Sequence, residues 1–278
     1  MKQKPLFTRF VNVVNGYSIW VVFGTLSTFI FYSRIFTSTS NYYTAVVLTI
    51  CMWIIYSLDH IIDALKLKEN AITYRHQVHY RNRRTILIIA AVLSVIACYL
   101  VYDQLPVEYI PIGIVLAAFT GMHFLINQLV SRELKSKVFL KEFFIAFVVT
   151  LGFVYLPLSN SVAKHNLLLF TTVFCINSAN LLMFSYYDRD IDNQQNFLSA
   201  SHIYGARKTK LLVYLFLLVS IVLTIVVKAP LVVKFLLILQ SISLGLLLYH
   251  ESTFEKNGLY RFWGDFIYVI PAFVLPFL

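Results

Sequence analysis

Two pairs of aspartates have the residue type and spacing to do chemistry together. Asp59 and Asp63 are four residues apart near the end of one long apolar run, and Asp188 and Asp192 repeat that spacing at the end of another. Residues four apart lie on one face of a helix, one turn above the other, so each pair presents two carboxylates in the same direction. Because carboxylates are costly inside a membrane, their presence there indicates a function.

Four carboxylates facing one cavity would repel one another unless cations were bound. Magnesium fits such a site, because it usually binds through a few carboxylates, keeps some waters and takes other ligands from substrate phosphates. Five of the seven aspartates lie in the segments 59–63 and 188–192, which favours a shared site over two separate hydrated helix ends. We therefore predict a metal-diphosphate site whose metal ligands and catalytic residues are Asp59, Asp63, Asp188 and Asp192.

The elements that position these residues are predicted from composition. Of the 278 residues 59% are hydrophobic and only 13% are charged, and the mean hydropathy is +0.75. Runs of about 20 apolar residues are long enough to cross a bilayer as helices. We expect one all-α domain, residues 1–278, that forms a polytopic membrane bundle of about nine transmembrane helices. The predicted spans are 16–36, 43–64, 85–102, 107–126, 138–158, 167–187, 211–227, 231–250 and 259–278.

The order of the spans suggests an internal repeat, because the aspartate pairs end the second and the sixth span. We therefore expect two pseudo-repeated four-helix halves, with the polar site where the repeats meet. Lysine and arginine fall mostly in the loops that would be cytoplasmic if the N-terminus is cytoplasmic. We expect an integral protein of a bacterial inner membrane, with both aspartate pairs at the cytoplasmic face. The net charge of +10 then indicates contact with membrane lipids rather than with nucleic acid, and no obligate protein partner is expected.

Other side chains have the chemistry to complete the site. An anionic diphosphate needs charge-assisted hydrogen bonds in addition to metal ions, and an amide two turns before Asp188 could bind a substrate or join helices. Aromatic rings could wall a cavity, although ordinary packing is the alternative for each of them. The candidate substrate-binding residues are Lys141, Asn180, Arg75, Tyr56 and Tyr187.

With these motifs the chain resembles the UbiA-type membrane prenyltransferases, which include the 4-hydroxybenzoate polyprenyltransferases. Members of that family are nine-helix bundles with one aspartate motif at the cytoplasmic end of helix two and another at helix six. The segment 188–192, followed by Asn196, Ser199 and Gly205, is similar to the family's second acidic motif. Phe139-Leu140-Lys141, followed by Gly152, is similar to its lysine-bearing fifth helix.

The first aspartate motif departs from the family pattern. The family's motif reads Asn-Asp-x-x-Asp-x-x-x-Asp, and in this chain Ile55 and Tyr56 stand where the Asn-Asp should be. In the second motif Ser185 stands where many members have another acid. The chain therefore resembles a divergent branch of the family.

The resemblance implies a Mg²⁺-dependent transfer of a prenyl group from a prenyl diphosphate to an acceptor at the cytoplasmic side of the membrane. The acceptor would be an aromatic compound, a quinone precursor or a lipid. The alternative is a non-catalytic transport or lipid-binding protein that reuses the same bundle, and the shortened first motif supports it. Transporters usually have helices broken by Gly or Pro. The chain has only nine glycines and seven prolines, which argues against a transporter.

Asp265, near the start of the last predicted span, has two possible roles. It could position or deprotonate the acceptor, or it could pair with Arg261, which lies four residues earlier and therefore on the same helical face. We expect the ion pair.

Overall fold

The computed structural model describes residues 5–37, 41–129, 141–158 and 166–277, and in these ranges the chain is helical, with no strand. The helices are, in chain order, α1 (Leu6–Gly16), α2 (Ile19–Phe36), α3 (Tyr42–Leu67), α4 (Tyr74–Arg81), α5 (Arg83–Gln104), α6 (Ile110–Leu129), α7 (Lys141–Leu158), α8 (Leu167–Gln195), α9 (Ala200–Tyr204), α10 (Ala206–Val226), α11 (Leu231–Tyr249), α12 (Glu251–Phe254), α13 (Leu259–Phe266) and α14 (Pro271–Val274).

Eight helices in the described ranges are long and apolar enough to cross a membrane: α2, α3, α5, α6, α7, α8, α10 and α11. They correspond to the first eight predicted spans and confirm the all-α polytopic bundle. The first three residues of the fifth predicted span lie outside the described residues, so α7 is described from Lys141 onward.

The ninth predicted span differs from a continuous helix, because α13 ends at Phe266 and α14 begins only at Pro271. Proline has no backbone N–H and cannot extend the hydrogen-bonded ladder of a preceding helix. Carbonyl groups at the break accept side-chain hydrogen bonds instead. Gln240 donates to the carbonyl of Ile267 at 3.1 Å, and Ser27 and Thr28 donate to that of Tyr268 at 2.8 and 3.1 Å. Such partners make a helix break tolerable within a membrane.

Helix α8 forms the centre of the bundle. In its most apolar window 67% of the residues are buried, compared with 17% in α5 and 11% in α6. Helices α7, α10, α11 and α13 pack around it. The two aspartate motifs therefore differ in setting, since 67% of this window is buried in α8, which carries Asp188 and Asp192, compared with 39% in α3, which carries Asp59 and Asp63.

Gly24 allows α2 to approach the broken segment closely. A Cβ atom at Gly24 would lie 2.8 Å from the Cβ of Tyr268, whereas a Cβ at Gly121 in α6 would meet nothing within 4 Å. Both glycines are inside helices, so alanine gives both positions the same gain in helix propensity. They differ only in the space around the added methyl group.

We expect Gly24→Ala to lower the free energy of unfolding by about 1–3 kcal/mol, because overpacking would force α2 and Tyr268 apart. Gly121→Ala is the matched control and should leave that free energy unchanged or raise it by up to about 1 kcal/mol. Denaturation of both variants in detergent measures the difference. Equal stability of the two variants would contradict the close packing of α2 against Tyr268.

Candidate functional site

The ends of α3 and α8 that carry the aspartate pairs meet around α4. Arg75, near the start of α4, donates to the Oδ2 atom of Asp188 in α8 at 3.4 Å. The ring of His76 lies 5.9 Å from that of His60 in α3 and 6.0 Å from that of Phe197, which follows α8. The short helix α4 therefore contacts both motif-bearing ends and connects them.

The electrostatic interactions also join the two pairs. The negative charges of Asp59, Asp63 and Asp192 all act on Lys141 at the start of α7. Two of these carboxylates belong to the first pair and one to the second, so Lys141 lies within electrostatic range of both pairs. Lys141 is thus placed where the resemblance predicts a lysine, while Phe139 and Leu140 lie outside the described residues.

Asp188 is the most buried of the four motif aspartates, and its side chain is 7% exposed. Arg261 of α13 donates to its Oδ2 atom at 2.5 Å, Arg75 donates to the same atom, and the Tyr260 hydroxyl donates to Oδ1. Both carboxylate oxygens are therefore engaged by protein donors. The structure shows Asp188 holding two guanidinium groups side by side, a role that the motif spacing does not predict.

The other three aspartates are less tightly engaged. Asp59 is 28% exposed and its Oδ1 atom lies 4.0 Å from Nε2 of His123, while Asp63 is 18% exposed and accepts a hydrogen bond from Lys66 at 3.0 Å. Asp192 accepts a hydrogen bond from the hydroxyl of Ser199. These carboxylates keep oxygen atoms available for a cation.

The donor set can be tested for its fit to magnesium. In the described part of the chain, no three Asp, Glu, His or Cys side chains are grouped closely enough to hold a metal ion by themselves. Magnesium at phosphate sites needs only one or two carboxylates, because water and substrate phosphates supply its other ligands. One or two carboxylates from the set Asp59, Asp63 and Asp192 therefore fit an ion that is shared with a diphosphate, rather than one held by the protein alone.

His76 lies within electrostatic range of one aspartate from each pair, Asp63 and Asp188. Burial, together with the positive charge of Arg75, lowers the pKa of His76 to about 3, so the imidazole is neutral near pH 7. Its Nδ1 atom is buried without a hydrogen-bond partner. The positive charge at this site therefore comes from Arg75, Arg261 and Lys141 and not from histidine.

A cavity of about 390 Å³, including its opening, lies next to the aspartate site. One part of its wall is apolar and the other is polar. The lining residues are Val21, Met52, Val149, Phe153 and Leu181, together with Tyr56, Asn177, Asn180, Asp265 and Tyr268. A second cavity, of about 300 Å³, shares Phe153 and Tyr268 with the first.

The predicted binding residues are divided by this geometry. Tyr56 and Asn180 line the first cavity, and Arg75 and Lys141 lie at the aspartate pairs. Tyr187 instead packs in the protein core: its hydroxyl donates to the carbonyl of Leu247 at 2.6 Å, and its ring stacks on Tyr260 with 4.4 Å between centroids. In this structure Tyr187 supports Tyr260 rather than lining the cavity.

The expected ion pair between Asp265 and Arg261 is wrong. Arg261 forms its ion pair with Asp188, 2.5 Å away, and Asp265 lines the cavity. The reason is long-range, because α8 brings a buried carboxylate to Arg261 that the local i,i+4 rule cannot anticipate. Tyr260 and Arg261 are also site residues, and the sequence did not predict them as such. Their only local signal is a Tyr-Arg pair shortly before Gly264-Asp265, which looks like an ordinary cytoplasmic helix end.

No protein-family model matches the sequence, and no curated protein matches it. Solved structures do resemble it. A UbiA homolog from Archaeoglobus fulgidus, bound to DMAPP and Mg²⁺, matches with a TM-score of 0.63 and 9% sequence identity over 95% of this chain and 99% of the other. The same homolog bound to GPP and Mg²⁺ gives a TM-score of 0.65 and 10% identity over 96% and 100%. The chain therefore has the UbiA-type fold over nearly its whole length.

We expect Asp188→Asn to lower the free energy of unfolding by about 3 kcal/mol or more, because two buried guanidinium groups would lose their counter-charge. Asp190→Asn is the matched control on the same helix, since the Asp190 side chain is 69% exposed. Thermal unfolding in detergent compares the two variants. If both unfold at the wild-type temperature, Asp188 does not hold α4 and α13 in place.

Proposed function

We propose that this protein transfers a prenyl group from a prenyl diphosphate to an acceptor, with magnesium as cofactor. The observation that carries the proposal is the meeting of both aspartate pairs with Arg75, Arg261 and Lys141 beside a partly apolar cavity. The fold supports it, because the A. fulgidus homolog with this fold was solved with DMAPP or GPP and with Mg²⁺.

The diphosphate would be bound by the basic residues. Arg75 and Arg261 are held together by Asp188, and each guanidinium keeps further N–H groups that suit phosphate oxygens. Lys141 would add a third positive charge near the first aspartate pair. Because Asp188 fixes both arginines before substrate arrives, little side-chain entropy is lost on binding.

Asp59, Asp63 and Asp192 are the residues that would hold magnesium. When bound, magnesium would neutralise the diphosphate and stabilise the charge on the departing pyrophosphate. This assignment differs from the sequence prediction in one respect: Asp188 contributes by orienting arginines instead of by direct ligation.

The cavity would receive the prenyl group. Loss of pyrophosphate leaves an allylic cation, whose charge the faces of aromatic rings can stabilise. Tyr56, Phe153 and Tyr268 supply such rings in the cavity wall. Apolar side chains around them would exclude water that would otherwise react with the cation. A longer tail would extend toward the second cavity, which shares Phe153 and Tyr268 with the first.

We further propose that the site opens to the cytoplasm in a bacterial inner membrane. The support is the positive-inside rule, because the aspartate-bearing ends of α3 and α8 are followed by segments that contain several basic residues. Among these are Lys66, Lys68, Arg75, Arg81, Arg83 and Arg84 after α3. The same rule would place the N-terminus in the cytoplasm.

One observation favours a non-catalytic alternative, in which the bundle binds a diphosphate lipid without turnover. Asp188 is occupied by arginines, and the first motif lacks one acid, so fewer carboxylates are available than in the family pattern. The two functions differ in whether pyrophosphate is released.

We expect the purified protein to release pyrophosphate from geranyl diphosphate only with Mg²⁺, in the presence of phenolic, quinol or lipid acceptors. Asp192→Asn should reduce the rate by a factor of about 10² to 10³, since a ligand would be lost from the magnesium ion that stabilises the leaving group. The matched control Asp190→Asn should retain the wild-type rate. Full activity of Asp192→Asn would overturn the assignment, and binding without any release would support the alternative.

A further inference from the structure

The first cavity has a polar wall that the proposed chemistry of the diphosphate does not use. We propose that Asp265 and Asn180 form the acceptor-binding site, and that they select an uncharged molecule with hydroxyl donors while excluding acceptors that carry a carboxylate. This inference rests on the proposed prenyl transfer and names the class of its second substrate. The proposed acceptor differs from 4-hydroxybenzoate, which is the type of acceptor that the sequence resemblance implies.

Asn180 supplies the first observation. Its side chain lines the cavity, the residue is 4% exposed, and its Oδ1 atom is buried with no hydrogen-bond partner. A buried hydrogen-bond acceptor without a partner destabilises the protein. A hydroxyl group of a bound molecule would satisfy it. The neighbouring amide, Asn177, differs in this respect, because it already donates to Thr150 at 2.8 Å and accepts from Tyr268 at 2.7 Å.

Asp265 supplies the second observation. Its carboxylate lies at the same cavity, and Arg261, the cation that could have paired with it, forms its ion pair with Asp188 instead. Among the described residues, those that line the cavity include no lysine and no arginine. Arg261 and Arg75 act on Asp265 through space, but neither lines the cavity. An acceptor with its own carboxylate would therefore meet the like charge of Asp265 in the cavity wall, which costs binding energy.

Both groups lie at the right depth for an acceptor. Asp265 follows Arg261 by four residues of helix, about 6 Å along the axis, and Asn180 precedes Asp188 by eight residues, about 12 Å. A molecule that bonds to these two side chains lies just beyond a diphosphate held by Arg75 and Arg261. A molecule there would be placed to receive the prenyl group when it leaves the diphosphate.

Two ligands with the same aromatic ring test whether the site excludes carboxylates. Hydroquinone has two hydroxyl groups, and in 4-hydroxybenzoate a carboxylate replaces one of them. We expect hydroquinone to bind the wild-type protein at least tenfold more tightly by calorimetric titration, and to be prenylated with at least tenfold higher kcat/KM. Asp265→Asn should reduce the preference for hydroquinone over 4-hydroxybenzoate to below threefold. The control is Asp103→Asn, which removes an aspartate at the end of α5 that is remote from α4. It should keep the full preference for hydroquinone.

A second variant keeps the test independent of Asp265. Asn180→Leu removes the unpaired oxygen at similar volume, together with the amide group that bonds to Tyr268, so it should weaken hydroquinone binding about tenfold while the protein stays folded. Equal affinity for the two ligands in the wild-type protein, or no hydroquinone binding at all, would overturn the acceptor assignment. Hydroquinone binding with the expected preference but no prenylation would leave this site in place and contradict the proposed transferase activity instead.

Discussion

The buried charge of Asp188 is the interaction on which the rest of the site depends. An uncompensated carboxylate in the interior of a membrane protein is strongly unfavourable. Three donors from α4 and α13 approach it, and the two arginines among them cannot lose their charge near neutral pH. The contact therefore joins helices that are far apart in the chain. It also brings together the remaining N–H groups of the two guanidinium groups.

This constraint acts together with the break in the last apolar segment. Because Arg261 turns toward α8, Asp265 is left at the cavity, and the chain stops being helical shortly after it. The carbonyl groups freed at the break are bonded by Gln240, Ser27 and Thr28. In a continuous ninth helix the carbonyl of Tyr268 would accept from the N–H of Ala272, but that of Ile267 would still lack a partner because Pro271 has no N–H. The polar side chains of α2 and α11 are thus part of what allows the broken segment to form the cavity wall.

Local sequence signals predicted much of this structure, and non-local contacts account for what they missed. Apolar runs predicted eight spanning helices, because the length of a span follows from bilayer dimensions. The i,i+4 spacing predicted that each aspartate pair lies at one helix end. The pairing of Asp188 with Arg261 joins residues 73 positions apart, which no local rule specifies. The same contact explains why the role predicted for Asp265 was wrong. The proposed four-helix repeat remains a prediction.

Helix α6 has a setting unlike that of the central α8. Only 11% of its most apolar window is buried against the rest of the protein, yet His123 on this helix lies 4.0 Å from Asp59. A helix that touches mainly lipid takes its tilt from the thickness of the hydrocarbon layer around it. We therefore expect a thinner or thicker bilayer to move the imidazole of His123 relative to the carboxylate of Asp59.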